Sequence, residues 1–164
     1  MKKIISLFGI LFFVSGFLFA QETNLKVYNP NADAKTDIAK AIAKADSLHK
    51  NVFIQIGGNW CPWCLKFNKF CKSDTIIDTL MSNNYIVLHL NYSKENKNLE
   101  ILKTLDFPQR FGFPVLVILD SKGKRIHTQD TALLESGDGY DRNKVINFLK
   151  YWTPRALNPK NFDK

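Results

Sequence analysis

The tightest constraint in this sequence is the passage from a buried-strand pattern straight into a pair of cysteines at the start of a helical one. Asn51 to Ile56 (NVFIQI) is a short apolar, β-branched run closed by Gly57 and Gly58, which predicts a buried strand. It delivers the chain directly to Trp60 and Cys61. From Pro62 to about Lys72 the apolar Leu65, Phe67, Phe70 and Cys71 can wind as a helix. Pro62 fits its first turn, where the missing N–H is not needed.

The remaining patterns extend this frame. Ile38, Ala41, Ile42, Ala45 and Leu48 recur at helical spacing between Asp33 and His49, with Asn31 or Asp33 as cap. Ser73 or Asp74 caps a further short helix through Leu80. Tyr85–Asn91 reads as a second buried strand, and Lys94–Leu105 as a polar-faced helix. Phe107–Pro114 is irregular. Val115–Leu119 (VLVIL) is the central strand of the set, and the turn at 120–123 leads to a partner strand over Lys124–Thr128. A Gly-rich loop around Ser136–Gly139 precedes a last helix opened by Asp141 or Asn143, and the tail after Pro154 reads as loosely ordered. The order predicts an α/β domain, a central mixed β-sheet flanked by helices on both faces.

The first twenty residues read as an address rather than as fold. Lys2 and Lys3 precede an uncharged apolar run, Ile4–Ala20, which predicts a signal peptide cleaved after Ala20; an uncleaved membrane anchor is the alternative. The expected organisation is a signal peptide over 1–20, an extension over 21–32, one domain over 33–153 and a tail over 154–164. Cleavage removes two of the 23 Lys and Arg and none of the 15 Asp and Glu, lowering the net charge of +8 by two. The lysines are scattered and no nucleic-acid motif accompanies them, so a solvated basic surface is expected and nucleic acid is not. Export points to the periplasm in a double-membraned bacterium, and otherwise to secretion or anchoring by the uncleaved signal.

All three cysteines, Cys61, Cys64 and Cys71, lie within eleven positions, unlike a framework that ties distant segments. Two thiols at the start of a helix can close a disulfide within its first turn, and unpaired N–H groups there stabilise a thiolate on Cys61. Cys61 is thereby the expected nucleophile and Cys64 the resolving thiol. Zinc is disfavoured, because one CxxC, a lone cysteine and the separated His49, His89 and His127 make no tetrahedral set. A never-reduced structural disulfide is disfavoured too, since so short a loop removes little unfolded-state entropy. Cys71 reads as a buried inert thiol and His89 as a satisfied or edge histidine. Trp60 is expected at the surface facing substrate, and Trp63 exposed between the thiols.

The segment Trp60-Cys61-Pro62-Trp63-Cys64, the strand that leads into it, and Gly112-Phe113-Pro114 before an apolar strand together resemble the thioredoxin superfamily over roughly residues 33–153. The helix over 33–49 and the ending from Thr131 to Trp152 look most like its exported bacterial members. The resemblance implies a cis-proline at Pro114, with Phe113 lining a substrate groove. It also implies catalysis by Cys61 and Cys64 on disulfides of exported proteins, with reduction or isomerisation favoured over oxidation and an electron-donating membrane partner to recharge the pair. No cofactor is expected, since the reaction needs only the two sulfurs. The sequence departs from the family at Gln55, where its reductases commonly carry a buried acid that takes a proton from the second cysteine. That departure keeps open a different class, a binding or chaperone-like module with little redox turnover.

Overall fold

Burial of apolar strands on both faces of one sheet organises the molecule. The computed structural model describes residues 26–163, so the apolar N-terminal run and its cleavage site lie outside the described residues. Helix α1 (Ala34–Leu48) starts where Asp33 accepts from the backbone N–H groups of Lys35 and Thr36, and ends at His49 in the left-handed region. Strand β1 (Asn51–Gly57) follows and is buried along its whole length. Helices α2 (Pro62–Ser73) and α3 (Thr75–Asn84) meet at Asp74, whose carboxylate caps α3 through Ile76 and Ile77 and also pairs with Arg142.

Strand β2 (Tyr85–Asn91) pairs parallel with β1 and, contrary to the buried strand expected there, lies at the sheet edge with Val87 exposed. After helix α4 (Leu99–Thr104) and a 3-10 turn at Pro108–Phe111, strand β3 (Val115–Leu119) pairs antiparallel with the other side of β1. Strand β4 (Arg125–Asp130) completes the sheet in the order β2-β1-β3-β4. A small hairpin, β5 (Glu135–Ser136) and β6 (Gly139–Tyr140), leads to helix α5 (Arg142–Tyr151). The sheet is mixed, as the sequence predicts. Because β1 and β3 are central, alternate side chains enter two separate cores. Phe53, Leu116 and Ile118 pack with Phe67, Ile77, Val145 and Phe148 from α2, α3 and α5. Val52, Ile54, Ile56, Val115 and Val117 pack on the other face with Ala41, Ala45 and Leu102 from α1 and α4.

Several expectations need correcting. The helix predicted over Lys94–Leu105 is confined to Leu99–Thr104. Residues 93–98 form a loop held by short polar side chains: Asn91 Nδ2 donates to Asn96 O, and Asn98 Nδ2 to Asn91 O, with Asn98 left-handed. Such side chains offer the backbone an alternative to helical bonding. The Gly-rich loop expected at 136–139 is present, as the tip of the β5–β6 hairpin. The tail is ordered in turns, with Ala156 N bonded to the Thr153 hydroxyl and a 3-10 turn at Pro159–Asn161. In the extension before Asp33, Tyr28 is buried at 2 % exposure. Among the described residues no helix is long and apolar enough to cross a membrane.

Phe53 is fully buried and its ring meets those of Phe67, Tyr85 and Phe148. Phe53→Ala should lower unfolding free energy by about 3–5 kcal/mol through lost transfer energy and a cavity. Urea denaturation should show this as a lower midpoint.

Candidate active site

The end of β1 and the start of α2 build the site. Cys61 N donates to Gly58 O in the tight turn out of the strand. Cys61 is itself the N-cap of α2, with extended backbone angles, and its sulfur accepts from Cys64 N at 3.2 Å. Pro62 occupies the first turn, where an N–H has no helical partner to lose. Cys61 and Cys64 form a disulfide with Cα atoms 5.2 Å apart, and both are buried, Cys61 at 4 % and Cys64 at 0 % exposure. The positive end of the α2 dipole and its free N–H groups lie at Cys61.

A neutral polar floor lies beneath the sulfurs. Asn59 holds the N-terminal segment by three bonds: its Oδ1 accepts from Val27 N and Tyr28 N, both at 3.0 Å, and its Nδ2 donates to Tyr28 O at 2.7 Å. This clamp sets the Tyr28 ring beside Cys61 and Cys64 in one buried cluster. Gln55 Nε2 donates to the Tyr28 hydroxyl at 2.6 Å and to Cys64 O at 2.9 Å. The position where the resemblance implies an acid is therefore an amide whose nitrogen bonds two neighbours. Gly57 is required here, because a Cβ would press directly on Cys64 Sγ and lie 3.0 Å from the Tyr28 hydroxyl. Burial pushes the Tyr28 phenol up and keeps it protonated, and burial with a lesser contribution from Lys72 lowers His89 to about 4. His89 stands edge-on to the Tyr28 ring at 5.6 Å, on edge strand β2.

Aromatic rings form the rim. Trp60 is 56 % exposed, its Nε1 donates to Tyr92 O at 2.6 Å, and its ring meets Phe113 edge-on at 5.7 Å. Phe113 lies 4.6 Å from the Tyr92 ring and packs against the cysteine cluster. The Phe113–Pro114 bond is cis, and Thr131 Oγ1 donates to Pro114 O. Trp60 and Tyr92 line a largely apolar groove of about 410 Å³ with Ser93, Lys94, Glu95 and Lys97. Trp63 departs from expectation: it is half-buried, because its ring stands edge-on to Tyr140 at 5.6 Å under the Lys66 ammonium.

Cys71 lies apart in the core between the sheet and α2, α3 and α5, and burial pushes its thiol up to about 12. His127 stacks on Trp152 at 4.2 Å, remote from the sulfurs. Among the described residues no cluster of three or more His, Cys, Asp or Glu is arranged to hold a metal ion.

Sequence reasoning missed Tyr28. Its one signal is the apolar pair Val27-Tyr28 in a polar stretch, and nothing local ties it to a site thirty residues on. Tyr92 and Tyr140 were missed for the same reason.

A family model described as Thioredoxin-like matches residues 33–121. The chain belongs to the thioredoxin-like family. Among solved structures it is similar to a disulphide isomerase from Xylella fastidiosa Temecula1, at 25% identity and a TM-score of 0.68, over 76% of this chain and 95% of that one. It also shares its fold with a structure described as DsbH Oxidoreductase, at 20% identity and a TM-score of 0.50, over 83% and 95% of the two chains. Among curated proteins nothing matches.

Two outcomes follow from this geometry. Gly57→Ala forces an atom against the Cys64 sulfur, and urea unfolding of the oxidised protein should show a loss of about 1–3 kcal/mol from overpacking. A thiol as shifted as Cys71 is almost wholly protonated at pH 8, so iodoacetamide should label it only once denaturant is added, as peptide mass mapping would show.

Proposed function

We propose that the protein is an exported thiol–disulfide oxidoreductase that reduces or isomerises disulfides in other exported proteins. The observation that carries this reading is the Cys61–Cys64 disulfide with Cys61 as N-cap of α2. In the dithiol form the helix N-terminus stabilises a Cys61 thiolate. That thiolate attacks one sulfur of a substrate disulfide; a bond forms to Cys61 and the other substrate sulfur leaves. Cys64, as thiolate, then attacks Cys61, closing the internal disulfide and releasing the reduced substrate. Isomerisation follows when the released substrate thiol attacks elsewhere before Cys64 acts.

The similarity to a disulphide isomerase over nearly its whole length supports this chemistry. The dipeptide Pro62-Trp63 contains no histidine of the kind that stabilises the thiolate in strongly oxidising relatives, which favours reduction or isomerisation. Trp60, Phe113 and Pro114, with the exposed part of Trp63, are the surface on which a polypeptide substrate would rest. Lys2, Lys3 and the apolar run after them support export, by a cleaved signal or an uncleaved anchor, and the periplasm is the destination in a double-membraned bacterium. A reductase in an oxidising compartment needs its electrons supplied, and a membrane dithiol protein is the partner we assign to that task.

Equilibration with glutathione, followed by tryptophan fluorescence, tests the reading. We expect one reversible two-electron transition, with a potential between about −270 and −120 mV. A value near the first supports a reductase; one near the second makes the protein an oxidant. Cys61→Ser should abolish exchange, and Cys71→Ala should leave it unchanged. Absence of any reversible transition in the unaltered protein would replace the enzyme with a chaperone-like binding module.

A further inference from the structure

A reductase that carries an amide at Gln55 needs another means of governing the charge on Cys64, and the buried cluster under the disulfide contains a single candidate. The Tyr28 hydroxyl and Cys64 Sγ both close on the position a Cβ at Gly57 would take, the hydroxyl 3.0 Å from it and the sulfur nearer still. Tyr28 is 2 % exposed and Cys64 fully buried, so water does not solvate the sulfur freely. The hydroxyl oxygen accepts from Gln55 Nε2, while its own proton has no acceptor among the described residues. A buried phenol proton without a partner is costly, and the group beside it that gains acceptor strength when the disulfide opens is the Cys64 sulfur.

Resting on the oxidoreductase reading above, we infer that Tyr28, oriented by Gln55 and held by Asn59, donates its phenol hydrogen bond to the Cys64 sulfur whenever that sulfur carries negative charge. When an attacking thiolate opens the disulfide, a bond forms between it and Cys61, the Cys61–Cys64 bond breaks, and the electron pair leaves on Cys64 as a thiolate. The phenol stabilises this anion without surrendering its proton, and solvent supplies the proton that later neutralises it. In the reverse direction Cys64 loses its proton to solvent, is held as thiolate by the same bond, and attacks Cys61 of the mixed disulfide.

The phenol acts as a donor alone. Burial raises its pKa above the ordinary tyrosine value, so it is not the base that removes a proton from Cys64. The titratable groups that face it are His89 from β2, Tyr140 from β6 and the two sulfurs from α2, while β1 contributes the neutral Gln55. His89 is neutral above a pH of about 4, and Tyr140 is held protonated by burial, so neither titrates with Cys64 near neutrality.

The test is an NMR titration of the reduced protein with 13C-labelled cysteine β-carbons, in three forms: unaltered, Tyr28→Phe, and with 3-fluorotyrosine at position 28, which keeps the packing but is a stronger donor. Losing a hydrogen bond to a charged group should raise the Cys64 pKa by about one unit in Tyr28→Phe, a roughly tenfold smaller thiolate fraction at neutral pH, with Cys61 little moved. The fluorinated protein should move Cys64 the opposite way, which keeps the test intact if Tyr28→Phe does not fold. Coincident Cys64 titrations in the folded forms, or equal displacement of both cysteines, would overturn the role of Tyr28. Glutathione exchange by the unaltered protein separates the two readings: if it exchanges while the Cys64 titrations coincide, only the Tyr28 inference falls.

Discussion

The close approach of α2 to β1 at Gly57 is the contact on which the rest of the site depends. A helix laid across a sheet normally stands about 10 Å off it, separated by side chains on both. At Gly57 the strand presents no side chain, and the Cys64 sulfur occupies the vacancy. Two residues earlier on the same face, Gln55 reaches up to the Cys64 carbonyl and across to Tyr28. The position of the sulfurs is therefore set by the burial of β1 between β2 and β3, the best-protected part of the molecule. The sulfurs hang on a frame whose stability comes from Phe53, Ile54 and their neighbours, which take no part in the chemistry.

The electrostatic character of the site follows from that construction. The floor is an amide, a phenol and a histidine held neutral by burial. Among the described residues no carboxylate is bonded into that floor, so none of its members opposes the effect of the α2 N-terminus on Cys61. The rim differs in kind. Phe113 meets Trp60 edge-on and lies tilted against Tyr92, and the Trp60 indole is locked by its bond to Tyr92 O, so an exposed ring is held in one orientation. A ring already held in place loses little further conformational entropy when a partner binds.

How much of this was legible in the sequence depended on the range of the interactions that decide it. The runs at 51–57 and 115–119 announce themselves because buried strands need apolar residues on both faces, the run at 85–91 shows as a strand but lies half-exposed at the sheet edge, and Asp33 and Asp74 mark helix starts because capping is local. The helix predicted from Lys94 failed on an equally local effect, the side-chain bonds of Asn91, Asn96 and Asn98, which compete with helical bonding yet leave no periodic trace. Trp63 was misjudged because the ring that covers part of it, Tyr140, comes from 77 residues away. Cys61 and Cys64 were evident from spacing alone. The floor beneath them was half evident: Gln55 stood out as an unusual residue, but what it holds, Tyr28, is brought in by Asn59 from a segment with no pattern of its own.

The two tyrosines have a consequence for how such a site can change over generations. Tyr28 lies before the stretch shared with the family and Tyr140 after it, yet one sits under Cys64 and the other braces Trp63. The motif, the strand and the active helix can then stay fixed while substitutions in these outlying segments alter what surrounds the sulfurs. Redox character in such an architecture is open to change from its margins, and an identical motif does not by itself fix the potential or the substrate.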